Sequence, residues 1–218
     1  MRAAKSGKQV SRNKVSRNKK DVIVEFRRET ILDAARRAFA RSGYEGTSVD
    51  EIAAEASIAK GTVYLYFESK AEIYLAAIMH EAEKLQAETE KRLGLVSTCR
   101  QKIEQYIRIR LEYGERQRDF CRIYFSQFGN TTHPAPVHKE LRKLYRKQAD
   151  LLASVISEGI AAGEIRSIPA HTAAYALGDA TKGLLEKRLL GWSDEAVETD
   201  IQALVELFWS GLNKAGAI

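Results

Sequence analysis

An all-α fold of about nine helices is predicted, with a small N-terminal three-helix unit followed by a larger helical part. Three observations lead there. Long stretches are rich in Ala, Leu, Glu, Lys and Arg, which favour helices. Only three prolines interrupt the 218 residues. Apolar residues recur at helical spacing, with no alternating strand pattern and no Asn-Gly hairpin signal. At 44% hydrophobic and 29% charged, the chain suits a globular protein with a sizeable core.

The charge is unevenly placed. Residues 1–20 hold eight Lys or Arg and no acid, leaving residues 21–218 at −2 against a chain total of +6. This basic arm contains a tandem repeat, Val10-Ser11-Arg12-Asn13-Lys14 followed by Val15-Ser16-Arg17-Asn18-Lys19. Such a segment buries too little apolar surface to fold alone, so residues 1–20 are expected to be disordered. An arm of this kind either follows DNA phosphates or a minor groove, or serves as a solubilising tail.

The first helix is marked by Ile31, Ala34, Ala35, Ala38 and Phe39 on one stripe, with Gly43 past its last turn. Thr47-Ser48-Val49-Asp50 then reads as a capping box, Thr47 accepting from an early amide and Asp50 reaching back. Val49, Ile52, Ala53 and Ala56 give the second, short helix its buried face. Ser57-Ile58-Ala59 makes a tight turn before a third helix, Lys60 to Phe67. Two short helices so joined, after a longer supporting helix, match a helix-turn-helix. The third helix offers free amides to phosphate at its N-terminus. Gly61 lets another backbone approach closely, Lys60 and Thr62 donate at that end, and Tyr64 and Tyr66 carry hydroxyls. Ser69-Lys70-Ala71-Glu72 is a second capping box, and Lys70 suits a phosphate contact better than it suits the helix dipole.

These residues resemble the tetracycline-repressor (TetR) family. The resemblance rests on Arg27 to Phe39, Gly43-Tyr44, Thr47 to Ala53, and Lys60-Gly61-Thr62-Val63-Tyr64-Leu65-Tyr66-Phe67 with Ser69-Lys70, about residues 25 to 80. It implies phosphate contacts near Thr47, Tyr64, Tyr66 and Lys70, and base-edge reading from Lys60 to Leu65, with Ser48 counted among the DNA-binding residues. Three positions depart from the family pattern. Ser57 stands where glycine is usual, Ala59 where a hydroxyl residue is usual, and Leu65 where many relatives carry a polar or aromatic reader. Leu65 shifts the expected readout toward a thymine methyl.

Residues beyond about 85 carry no nucleic-acid signal. Ile103, Ile107 and Leu111 mark one helix, and Phe120, Ile123, Tyr124 and Phe128 a shorter one. A loop is expected from Gly129 to Pro136. A long helix then runs from about Val137 to Ala162, with Leu141, Leu144, Leu151, Leu152, Val155 and Ile156 as its core face, and Gly163 ends it. Small residues from Ala173 to Gly183 permit close helix approach. The final helix presents Val197, Ile201, Leu204, Val205, Phe208, Trp209 and Leu212. Each of these last two stripes is either monomer core or half of a four-helix interface with a second copy. The resemblance implies the interface, a homodimer through the last two helices, and a small-molecule pocket among the middle helices. Candidate linings are Tyr106, Arg110, Tyr113, Tyr124, Phe125, Phe128 and Tyr145, any of which serves equally as packing. Aromatics plus an arginine tolerate a bulky apolar or weakly anionic ligand.

The expected organisation is a basic arm at 1–20, a helix-turn-helix domain at 21–85, and an effector-binding and dimerisation domain at 86–218. The expected function is a ligand-responsive repressor that binds double-stranded DNA at a palindromic operator and is released by a small molecule. An enzyme is not expected: His80, His133, His138 and His171 are scattered, and no nucleophile elbow, phosphate loop or dinucleotide fingerprint occurs. Neither a metal nor a cofactor is expected, since Cys99 and Cys121 lie far apart without metal-ligand spacing. No apolar run approaches the roughly 18 residues of a membrane span and the start lacks a secretory segment, so a cytoplasmic location is expected. An architectural DNA-coating protein is the competing class, because the basic arm favours nonspecific binding.

Overall fold

The computed structural model describes residues 19–126 and 135–212. Among them are nine helices and no strands: α1 (Lys19–Gly46), α2 (Val49–Glu55), α3 (Lys60–Tyr64), α4 (Lys70–Leu93), α5 (Cys99–Arg116), α6 (Arg118–Phe125), α7 (Ala135–Ala161), α8 (Ala170–Leu189) and α9 (Val197–Leu212). The expected arm lies outside the described residues except for Lys19 and Lys20, which open α1 and so are helical, not disordered. Phe128, His133 and most of the expected 129–136 loop also lie outside them. The boundary expected at 85/86 falls inside α4, which runs unbroken through it.

The predicted stripes are buried. Ile31, Ala34, Ala35, Ala38 and Phe39 of α1 meet Val49, Ile52 and Ala53 of α2, Val63 of α3 and Phe67 after it. Phe39 and Tyr44 both pack edge-on against Tyr74 of α4, with ring centroids 4.8 and 4.9 Å apart. Gly43 takes φ +70°, which lets the chain turn out of the regular part of α1.

Two local expectations need correction. The N-cap of α2 is Ser48, whose hydroxyl accepts from the Glu51 amide at 3.1 Å. Thr47 is buried instead, and its hydroxyl donates to the carbonyls of Gly43 (2.7 Å) and Ala38 (3.2 Å), closing the end of α1. Asp50 does not reach back to Thr47; it pairs with Lys60. Helix α3 is also shorter than expected, with Ala59 as N-cap and no side-chain hydrogen bond there.

In the larger part α5 is central, packing against α4, α7, α8 and α9, while α1 rests on α2, α4 and α6. Helix α8 packs extensively against α7, and a further close approach to it comes from α5. A Cβ on Gly114 would stand 2.2 Å from a Leu185 methyl carbon of α8, so these helices touch backbone to side chain. Along α9, Ile201, Leu204, Val205 and Leu212 are monomer core, which resolves most of that stripe. Leu207, absent from the expected set, points outward at 70% exposed.

The turn between α2 and α3 carries measurable strain. Ser57 sits at φ +55°, the left-handed region that disfavours side chains by about 1–2 kcal/mol. Glycine relieves this at an unfolded-state entropy cost of about 0.4–1 kcal/mol. Ser57→Gly is therefore expected to raise the melting temperature by about 2 °C in a thermal scan; an unchanged or lower value contradicts the assignment of strain.

Candidate nucleic-acid interface and ligand pocket

Helix α3 is held from behind. The Arg28 guanidinium lies 4.3 Å from the Phe67 ring centroid and donates to the Tyr66 carbonyl at 3.3 Å. This clamp from α1, which spacing along the chain gave no reason to expect, fixes the C-terminal end of α3 where the Ala59 N-cap contributes nothing. With Val63 and Phe67 buried, the helix presents Leu65 at 82% exposed and Tyr64 at 47%, with Tyr66 and Thr62 half-buried beside them. Gly61 faces open space. Ser48, Lys60 and Gly61 are exposed at the N-terminal ends of α2 and α3. The face combines free amides, hydroxyls, one lysine and one leucine, a set suited to phosphate oxygens and a base edge.

Two expected phosphate donors are occupied inside the fold. Thr47 is spent on α1 carbonyls, as above. The Lys70 ammonium donates to the Tyr44 carbonyl at 2.8 Å and lies 4.5 Å from the Tyr44 ring centroid. A lysine in the first turn of α4 opposes that helix's dipole but favours the C-terminal end of α1, which explains its placement. Lys60 bonds Asp50 at 2.7 Å, and this contact raises its pKa above the ordinary lysine value. Ser69 caps α4 by accepting from the Glu72 amide, while Glu72 reaches back to the Glu68 amide.

A cavity opens between α4, α5, α6, α7 and α8. It encloses about 700 Å³ of empty space, part of it open to solvent. The sequence reading placed Tyr106, Arg110, Tyr113, Tyr124, Phe125 and Tyr145 as linings, and the structure brings all six to this wall. It adds Gln148 of α7 and Tyr175, Asp179 and Lys182 of α8, which apolar patterning does not single out. The Tyr145 hydroxyl donates to Asp179 at 2.8 Å, tying α7 to α8.

One lining residue connects the cavity to the N-terminal unit. The Tyr113 hydroxyl donates to the Glu81 carboxylate at 2.6 Å, and Glu81 of α4 is nearly inaccessible. Glu81 in turn pairs with Arg36 of α1 at 3.3 Å and with Lys84 at 3.1 Å. Burial alone would raise the Glu81 pKa, but Tyr113, Arg36 and Lys84 together hold it below the ordinary carboxylate value. The Arg36 Nη1 has no hydrogen-bond partner, although Asp33 takes the other amino group.

Both cysteines are buried thiols. Burial pushes the Cys99 thiol up to about 11 and the Cys121 thiol to about 12, so neither is a thiolate at neutral pH. No cluster of three metal-ligating side chains occurs among the described residues, and no described helix is long and apolar enough to cross a membrane.

With this geometry established, the likenesses to other proteins agree with it. A family model described as "Bacterial regulatory proteins, tetR family" matches residues 31–77. One described as "Tetracyclin repressor-like, C-terminal domain" matches residues 96–186. The HTH-type transcriptional activator FasR of Mycolicibacterium smegmatis is 27% identical over 189 residues, covering 86% of this chain and 83% of FasR. The transcriptional regulator FadR from Bacillus subtilis, solved in complex with stearoyl-CoA, superposes with a TM-score of 0.76 at 20% identity, over 84% of this chain and 98% of that one. A regulator from Saccharomonospora viridis in complex with choline gives 0.77 at 22% identity, over 87% and 99%. The two family models lie in order along the chain, one on the helix-turn-helix and the other on the cavity-bearing helices. This chain belongs to the TetR family of bacterial DNA-binding transcriptional regulators.

Proposed function

We propose that the protein binds a palindromic operator as a homodimer in the cytoplasm, represses transcription there, and is released by a small effector of the fatty-acyl class. The observation that carries this reading is the buried Tyr113–Glu81–Arg36 connection, which joins the wall of the cavity to the helix supporting α3. A ligand displaces an operator only if it favours a conformation that binds DNA less well. A body entering the cavity presses on Tyr113, and the Glu81 pairing then passes the displacement to α1 and α4. The altered spacing of the two α3 helices no longer matches half-sites about 34 Å apart. The acyl class is supported by FadR, with its stearoyl-CoA, together with the aromatic lining here. FasR is named an activator, the sign opposite to the repression proposed here.

Selection from random duplexes at about 150 mM salt tests the operator directly. A palindrome is expected, and Leu65→Gln should weaken the selected site about 5- to 150-fold while sparing nonspecific DNA. Tight binding without any motif would instead favour a DNA-coating protein.

The dimer is supported by the apolar groove between α8 and α9, where Leu207 stands exposed beside Phe208, Ile168 and Ala173. Leu207→Glu is expected to convert a dimer to a monomer in sedimentation analysis and to abolish cooperative binding to the paired half-sites. A variant that stays dimeric would move the interface elsewhere.

Coupling is tested away from the cavity. Arg36 does not itself line the cavity, yet Arg36→Met removes one partner of buried Glu81. The effector should still bind, while its effect on operator affinity shrinks about fivefold or more. Full release by the variant would show that the signal travels by another route.

A further inference from the structure

Several half-buried arginines of the larger part are matched by carboxylates. Arg92 bonds Glu88 and Glu112 at 2.7 Å each, Arg108 bonds Glu104 and Glu198 at 3.0 and 2.8 Å, and Arg188 bonds Glu115 and Asp200 at 2.9 and 2.8 Å. Arg110, on the same helix as Arg108, is different. Its guanidinium lies 3.4 Å from the Tyr106 ring centroid and makes one long hydrogen bond, 3.4 Å, to the Tyr106 carbonyl. Among the described residues no carboxylate comes within ion-pair distance of it. Asp179 lines the same cavity but accepts from the Tyr145 hydroxyl. Lys182 adds a second cation to the lining, its ammonium 5.9 Å from the Phe125 ring centroid.

A guanidinium stacked on a ring keeps its outer edge open, and that edge fits two oxygens of a carboxylate or phosphate. Burial holds the pKa of Arg110 below its ordinary value, the direction that an incoming anion would reverse. Much of the remaining wall is aromatic or aliphatic, suited to an apolar body, with Gln148, Asp179, Thr181 and Lys182 as its polar exceptions. We propose that Arg110 is the anion anchor of this cavity, and that the effector is an amphiphile with a carboxylate or phosphate head on Arg110 and an apolar body among the rings of α6. This rests on the cavity being the effector site. The fold does not dictate the sign of charge, since the S. viridis regulator of the same architecture holds choline, a cation.

The test uses the full chain and four probes of one chain length: dodecanoate, dodecyl phosphate, dodecanol and dodecyltrimethylammonium, each below its micelle concentration. Calorimetric titration should show an anion bound about tenfold or more tighter than the neutral and cationic probes. Preference between the two anions identifies the head group. In Arg110→Gln the gap should collapse to within about twofold, and Arg110→Lys should retain part of it; circular dichroism verifies that both variants fold. Equal binding of all four probes, binding of none, or an unchanged gap in Arg110→Gln overturns the proposal. Operator release is scored separately on the selected duplex. Anion-selective binding without release keeps the anchor and overturns the release reading; release by dodecanol and dodecanoate alike does the reverse.

Discussion

The buried carboxylate of Glu81 is the constraint around which the molecule is arranged. An ionised side chain so deeply enclosed is costly unless several partners surround it, and removing one commonly costs about 3–5 kcal/mol. Its partners come from three helices: Arg36 from α1, Lys84 from its own helix α4, and Tyr113 from α5. These three helices therefore share one cluster of hydrogen bonds and ion pairs, and a shift of one is felt by the others. The N-terminal unit and the cavity are joined by the need to keep this charge satisfied, as well as by the apolar seam of α1 with α4 and α6.

The same requirement explains why a pocket exists beside a packed core. Tyr113 turns its hydroxyl toward Glu81 and leaves its ring edge-on to Phe120, with centroids 6.1 Å apart. The next ring along, Tyr124, stacks on Phe120 at 5.7 Å. Aromatic rings committed to such partners at one end cannot also fill the space between α5 and α8. The tightest contact there is between Gly114 and Leu185, where the glycine admits it. The cavity occupies the remaining width.

What the sequence made legible was whatever repeats locally. The stripes of α1, α2, α5 and α7, the cap at Ser69 and the turn ending at Ala59 follow from spacing and short-range chemistry. The cap of α2 was displaced by one residue because Thr47 and Ser48 carry the same hydroxyl, and burial alone decides which one turns inward. The left-handed Ser57 was visible as an awkward residue in a position that prefers glycine. By contrast, Arg28 over Phe67, Lys70 on the Tyr44 carbonyl and Arg36 with Glu81 each join residues 26 to 45 positions apart. No periodicity encodes those pairs. They depend on the angle at which α1 crosses its neighbours. Five of the six pocket residues are aromatics of α5, α6 and α7, a residue type that stands out in a helical pattern, whereas Asp179 and Lys182 sit on a helix whose pattern reads only as small residues.

The bond that ties α7 to α8 has a kinetic meaning for the proposed effector site. Tyr145 and Asp179 join two of the helices that wall the cavity. If an effector enters by the parting of α7 from α8, only that open fraction of the free protein is competent to bind, and apparent affinity is reduced by that fraction. The association rate would then level off as ligand rises, and departure through the same seam would make the switch slow to reset.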